Sequence, residues 1–453
     1  MPDARTTAFD IDLYHIDAAY LAWKSGYNAP SAFELFTRGT PFRGGYMLTA
    51  GLEPAAEFIG NFRFTREQLA WLRTIKPYED EFFEMLGAFR FTGDVYAMAE
   101  GEIAFAHQPL LRVEASFVQG MLLEAGLLRA LGIGTLIATK SARIRTTVGN
   151  CSYADFGFRR AHEPIWATRS AYIGGTDSTS YVEAAHRFNI PSSGTIPHAI
   201  VQAYPDELTA FREIARLMPK YMLLLDTYDV DQGIDNAITA AKEEAANGSG
   251  HTLMAVRIDS GDLAAWARLV KSRLVTAGMG DVKVLVSGDL DEFKAQDLLA
   301  TGAPIDGFGV GGNLAVGLGS IESDYIGGVI GAVYKLSWID LPGDDDDRMK
   351  IAGSKSTWPG KKAVYRFGDF DHDLVTLDHE LAPDGGRPLL HPWMKEGTLL
   401  HSHPSLTEIR ERAMSNLAAM PTWLKALAPE QDYDVRFSDE LVALRDRIVA
   451  EHK

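Results

Sequence analysis

A rhythm beginning near Leu208 restricts the fold more than any other feature. Four times over, a short apolar run ends in a polar residue or glycine and a helix-length stretch follows: residues 221–225 run into Asp226, 253–258 into Asp259, 282–286 into Ser287 and 305–310 into Gly311. The intervals between those ends, 33, 28 and 24 residues, each leave room for the crossover helix that parallel strands require. Repeated β/α units of this kind build a barrel or an open parallel sheet. In either architecture ligands gather at the carboxyl ends of the strands, where loop amides and helix amino termini converge.

Outside the rhythm the pattern changes. Residues 115–131 are apolar around most of their circumference, as in a buried helix that joins an amino-terminal unit to the β/α region. After residue 328, runs at 329–338 and 348–352 predict a hairpin, joined by residues 342–347 with four consecutive aspartates. Four adjacent carboxylates point in different directions, so that run reads as a solvated turn rather than a cation site. Residues 405–451 carry the periodicity of amphipathic surface helices. With 453 residues the chain exceeds what one core holds, and the expected division is 1–130, 131–335 and 336–453.

The formal net charge of -17 gives no footprint for nucleic acid, so any anionic substrate must meet locally placed Arg and Lys. A single cysteine, Cys151, excludes an intramolecular disulfide and any site built from several thiolates, which suits a reducing cytoplasm. Residues 1–12 show no apolar leader. No run approaches the roughly 18 uninterrupted apolar residues of a membrane helix, so no membrane partner is expected.

The strand end Ala255-Val-Arg-Ile-Asp-Ser-Gly-Asp262 concentrates a cation, carboxylates, a hydroxyl and a glycine. Arg257 suits forked pairing with phosphate, and Asp259 suits ribose hydroxyls or hydrated magnesium. Helix capping by Asp259 or Ser260 would account for one such residue, not for the cluster. Ser287-Gly-Asp289 and Gly307-Phe-Gly-Val-Gly-Gly-Asn313 supply turns whose glycines let backbone amides approach a phosphate. The second also fits G-x-G-x-x-G, but no acidic residue follows about 20 positions on in a strand context, which argues against a dinucleotide.

Upstream, Asp155-Phe-Gly-Phe-Arg-Arg160 and Ala167-Thr-Arg-Ser-Ala-Tyr-Ile-Gly-Gly-Thr-Asp177 mix aromatics with cations. A flat aromatic anion needs a ring face and a guanidinium, which Phe156, Arg159 and Arg169 provide; core Phe beside surface Arg is the plainer alternative. His198 on its own reads as a structural imidazole. His391, His401 and His403 sit beside prolines with no carboxylate or thiolate support for a metal.

Taken together, these segments resemble the nicotinate phosphoribosyltransferase family over nearly the whole chain. The resemblance rests on Asp12-Leu-Tyr14, Phe33-Glu-Leu-Phe36, Pro41-Phe-Arg-Gly-Gly-Tyr46, Asp155 to Arg160, Tyr172-Ile-Gly-Gly175, Ser193-Gly-Thr195 with His198, Arg257 to Asp262 and Gly307 to Gly312. It implies an irregular β/α barrel beside an α/β sandwich-like domain formed by the amino- and carboxyl-terminal parts, in a homodimer whose active sites lie between chains.

By the same resemblance, Tyr14 and Phe156 look like the pair that sandwiches a pyridine ring, and Arg159, Arg169 and Arg257 like anion-binding residues. Ser287, Gly288, Gly311 and Gly312 would hold phosphate, and Asp226, Asp259 and Asp289 would surround magnesium and pyrophosphate. His198 matches a histidine that the family phosphorylates from ATP. The implied activity joins nicotinate to phosphoribosyl pyrophosphate, with ATP as co-substrate, in NAD salvage. Thr176-Asp177 is similar to the nicotinamide enzymes, where the aspartate accepts from a substrate amide, so Asp177 is a further candidate for binding the base. A nicotinamide enzyme and a noncatalytic phosphoribosyl pyrophosphate sensor are the alternatives.

Overall fold

The computed structural model describes residues 6–319, 327–343, 346–351 and 353–452. The chain divides into two compact units, one built from residues 1–139 with 329–453 and the other from 140–328. The division therefore falls at 139/140 and 328/329, against the 130 and 335 expected.

The first shift has a local cause. The helix expected at 115–131 runs from Phe117 to Val148, because nothing in the sequence breaks it. Its glycines pack rather than interrupt: a Cβ on Gly120 would lie 2.5 Å from the Phe33 ring and one on Gly134 2.6 Å from the Ala50 carbonyl. By length and composition this helix could cross a membrane, but 67% of its most apolar window is buried in protein, as in a core helix.

In the first unit, strands from both ends of the chain form one sheet in the order Ala332–Ile339, Pro30–Thr37, Leu111–Ser116, Asp94–Met98, Leu390–Lys395 and Thr398–Leu399. Neighbours are antiparallel throughout. Pro30–Thr37 is buried on both faces beyond its first residue, so Glu34 survives there only through Lys362, whose ammonium lies 2.6 Å from its carboxylate. A second sheet joins Arg387–Pro388, Lys362–Phe367, His372–Leu377 and Val435–Phe437. Helices Leu406–Ala419 and Asp439–Glu451 fulfil the amphipathic reading of the carboxyl-terminal region.

Among the described residues, the hairpin expected after residue 328 is reduced to a single bridge. Ala332–Ile339 pairs instead with Pro30–Thr37, and the returning chain meets it at one bridge, Trp338 to Asp347. Backbone hydrogen bonds from the Ile339 amide to the Asp346 carbonyl and from the Arg348 amide to the Ser337 carbonyl hold that bridge on the strand's outer edge. Asp344, Asp345 and Ala352 lie outside the described residues.

The second unit is a parallel sheet in the order Ser178–Thr179, Ser152–Asp155, Gly307–Val310, Lys283–Val286, Thr252–Ile258 and Lys220–Leu224. Apart from one step the order is cyclic, with the first strand in the chain beside the last, which is the signature of a barrel. Between Thr179 and Lys220 the described residues supply only the bridge from Thr179 to Ser192, so the barrel is a half-barrel. Because all its pairings are parallel, the carboxyl ends share one rim.

Candidate active site

Three β/α loops on that rim, those after Leu224, Ile258 and Val286, each carry two aspartates with different work. Asp229, Asp262 and Asp291 accept from the backbone amides of Gln232, Ala265 and Lys294 and so cap the helices that follow. Capping is thus done by Asp262 rather than by Asp259 or Ser260, which leaves the residues nearer the strand ends for other partners.

Those partners are each other. Asp226 Oδ2 accepts from the Asp259 amide at 3.0 Å and from the Ser260 hydroxyl at 2.6 Å, tying two adjacent strand ends together. Asp259 Oδ1 accepts from the Ser287 hydroxyl and lies 3.6 Å from the Arg257 guanidinium. Arg257 also donates to the Thr195 hydroxyl. Gly288 closes the group: its φ of 101° favours glycine, and a Cβ there would stand 2.1 Å from the Asp259 carbonyl. Asn313 then joins this loop to the Gly311 turn by donating to the carbonyls of Asp289 and Leu290.

On the other side of the Gly311 turn lies the aromatic segment. A Cβ on Gly309 would meet the Phe156 ring at 2.4 Å, so the missing side chain makes room for that ring against the backbone. The segment is anchored from beneath by Asp155, which accepts from the Gly157 amide and from the hydroxyls of Thr168 and Thr179 at 2.8, 2.9 and 3.0 Å. Burial pushes the Asp155 carboxyl above its ordinary value, and these three donors partly offset it.

Several polar groups on the rim are not satisfied by the protein. Asp226 Oδ1 and Arg257 Nε are buried without a hydrogen-bond partner. Arg159 and Arg160 are exposed, and among the described residues no side-chain hydrogen bond or ion pair engages either guanidinium. Burial draws the Arg257 guanidinium below its ordinary value, Arg159 adds to that, and Asp259 and Asp226 oppose it. Two guanidinium groups near enough to repel each other are the electrostatic outline of an anion. His198 opens the helix His198–Gln202 and places Nδ1 3.1 Å from the hydroxyl of Thr227, the residue after Asp226.

The structure thus brings together Phe156, His198, Arg257, Asp226, Asp259, Ser287, Gly288, Asp289, Gly311 and Gly312, with Arg159 beside Arg257. Ser287 differs from expectation in one respect, since its hydroxyl is engaged by Asp259. Asp177 does not join the group. It precedes its two-residue strand and therefore stands at the opposite, amino end of the sheet, 2.6 Å from Arg145 and accepting from the Tyr153 amide.

Arg169 is 1% exposed on the helix Pro164–Ile173, enclosed by protein rather than presented to solvent. Tyr14 belongs to the first unit, on the helix Leu13–Ser25, 51% exposed and stacked on His15. Burial and Glu124 push its hydroxyl up to about 12, so it stays protonated at neutral pH. Thr195, Thr227, Ser260, Asn313 and Arg160 belong to the same rim and are not evident from residue type; only their nearness to a strand end or a charged motif marks them.

Comparison with known proteins is an independent line. The nicotinate phosphoribosyltransferase N-terminal domain matches residues 9–131, and the C-terminal domain of the same family matches 378–445. A nicotinate phosphoribosyltransferase of Bacillus subtilis is 38% identical over 95% of this chain and 92% of its own length. One from Mycobacterium tuberculosis is 36% identical over 97% and 92%. Among solved structures, human nicotinic acid phosphoribosyltransferase superposes with a TM-score of 0.84 at 27% identity, covering 97% of this chain and 99% of that one.

Proposed function

This chain belongs to the nicotinate phosphoribosyltransferase family, and from that premise we propose that it forms nicotinate mononucleotide and pyrophosphate from nicotinate and phosphoribosyl pyrophosphate, in NAD salvage. The observation that carries the reading is the rim itself: one continuous set of contacts from Asp226 to Arg160 that leaves cations and one carboxylate oxygen open.

The chemistry asks for positioning and charge. Attack by the pyridine nitrogen on ribose C1 uses a free lone pair and releases no proton, so no general base is required. Phe156 offers a ring face, and Tyr14 of the partner subunit in a homodimer would supply the other. Arg159 and Arg257 suit the carboxylate and the phosphates, and the Gly288 and Gly311 turns suit the phosphates by backbone amides. As the bond to pyrophosphate breaks, negative charge grows on the leaving oxygens, and fixed cations already in place need not reorganise to meet it.

Magnesium fits the acids present. Asp226 Oδ1 is a buried oxygen with no donor of its own, and Asp259 and exposed Asp289 stand on the same rim, a set suited to a cation that keeps part of its water. Bound there, the ion would neutralise the departing pyrophosphate.

ATP enters through His198, whose place beside Thr227 puts an imidazole on this rim. The γ-phosphoryl passes to a ring nitrogen as ADP leaves, and water later cleaves the phosphoimidazole to inorganic phosphate. The added charge shifts affinity for phosphoribosyl pyrophosphate in between. His198→Ala is expected to abolish stimulation by ATP while leaving a slower basal turnover; equal losses with and without ATP would contradict the assignment.

The feature that favoured nicotinamide was Asp177, and its pairing with Arg145 at the amino end of the sheet removes that support. The deciding experiment supplies phosphoribosyl pyrophosphate, magnesium and each base in turn and follows mononucleotide by chromatography. Turnover of nicotinamide alone overturns the choice of base, and binding without product from either base would mark a sensor.

A further inference from the structure

Three charged side chains that the reaction does not use lie fully inside the second unit. Lys140 and Arg143, three residues apart and so on one face of the helix Phe117–Val148, both reach the carboxylate of Glu292. Arg143 Nε donates to Glu292 Oε1 at 2.9 Å, and the Lys140 ammonium pairs with Oε2. All three residues are at most 1% exposed. Burial pushes the Glu292 carboxyl up, but the two cations outweigh it and hold the group below its ordinary value.

Glu292 opens the helix Glu292–Ala300, directly after its cap Asp291 and the rim loop 287–290. That loop is bent in a way its residues do not favour. After Gly288, Asp289 also has a left-handed backbone, with a φ of 45°, which a residue carrying a Cβ holds only when its surroundings impose it. The Asp289 carbonyl accepts from Lys294 Nζ at 2.9 Å and from Asn313. The helix end into which the loop runs is held by Glu292.

We propose that Glu292, gripped by Lys140 and Arg143, is a positioning residue: it fixes the start of its helix so that residues 287–289 keep the bent backbone that sets Ser287 and Asp289 on the rim. A buried ion cluster adds little stability over apolar side chains of like volume. Its use here is geometric. A carboxylate paired with two cations on one helix is fixed in direction, whereas an apolar contact lets its partners slide.

The proposal rests on the functional reading above, in which this loop serves phosphoribosyl pyrophosphate and the segment from Phe156 to Arg159 serves nicotinate. A fault in the loop should therefore be felt by one substrate and not by the other.

The test compares three variants with the wild-type protein. Lys140→Met replaces the ammonium stem by an apolar one of similar length, and Glu292→Gln keeps the shape but removes the charge. Val270→Ala is the control: it opens a cavity on the buried face of the helix Leu263–Thr276, which contributes nothing to the cluster. In Lys140→Met and Glu292→Gln the KM for phosphoribosyl pyrophosphate is expected to rise about 10- to 100-fold, the usual effect of losing a group that orients a ligand-binding one, with the KM for nicotinate unchanged. Hydrogen exchange of residues 287–291 in the free protein, read by mass spectrometry, should quicken in both and keep its wild-type rate in Val270→Ala.

Michaelis constants that stay at wild-type values, or that rise together for both substrates, overturn the positioning role, as does loop exchange no faster than in Val270→Ala. Failure of both Lys140→Met and Glu292→Gln to fold, read by circular dichroism, assigns the cluster to the core and overturns it too. A wild-type protein that makes no mononucleotide overturns the functional reading, and the exchange measurement still decides whether the cluster holds the loop.

Discussion

Two aspartates, one in each unit, show how the same side chain is used in opposite ways. Asp373 is fully buried and accepts four hydrogen bonds: Arg366 Nε and the Tyr433 hydroxyl on one oxygen, Arg366 Nη2 and the Gln108 amide on the other. Asp226 gives one oxygen to Asp259 and Ser260 and leaves the other buried and bare. A carboxylate enclosed by four donors contributes to the fold and nothing else can reach it. One with a vacant acceptor is costly to keep unless something outside the protein completes it.

That contrast is tested most severely by the arginines. Arg366→Ala strips a buried carboxylate of its cation and is expected to cost about 3 to 5 kcal/mol of stability, read by denaturant unfolding. Arg257→Ala should hardly move that midpoint but should cost about 2 to 4 kcal/mol of transition-state stabilisation, read from kcat/KM with phosphoribosyl pyrophosphate. If Arg257→Ala unfolds the protein and leaves turnover of the folded fraction unchanged, the two regions are alike and the comparison fails.

Asp226→Asn sharpens it further. The amide keeps the size but loses the charge, so the magnesium concentration for half-maximal turnover is expected to rise by roughly tenfold, or about 1.4 kcal/mol. An unchanged requirement would return Asp226 to a purely structural role. The smallest effect belongs to Asp177→Ala, which removes a partly exposed pair with Arg145 and should cost at most about 1 kcal/mol of stability. Turnover with nicotinate should not change, and a loss there would place Asp177 back among the binding residues.

Four of the six strands of the half-barrel were legible because each is a short apolar run ended by a polar residue or glycine, and the strand beginning at Thr252 ends at Ile258 as expected; Ser152–Asp155 and Ser178–Thr179, short and largely polar, were not. Asp226 and Asp259 were legible for the same reason, since they follow strand ends, and Phe156 was legible as an aromatic set among cations. Asp177 was marked by resemblance alone, and its place was not legible because sequence does not say where so short a strand begins: with only Ser178–Thr179 in the sheet, a residue just before it lies at the amino end. The boundary near 131 misled because Gly132 and Gly134 resemble helix breakers, yet the helix continues through both, and Gly134 lets it approach the Ala50 backbone. Arg160 was visible as a charge, but its position over Gly311 and Gly312 depends on two segments about 150 residues apart.

The paired aspartates of the β/α loops carry one more consequence. Because Asp229 and Asp262 cap the helices, Asp226 and Asp259 are left to serve the rim, and a change at either does not uncap the helix behind it. A scaffold arranged this way is evolvable: drift or design can retune which polyphosphate the rim accepts, one loop at a time, while the architecture underneath is inherited whole.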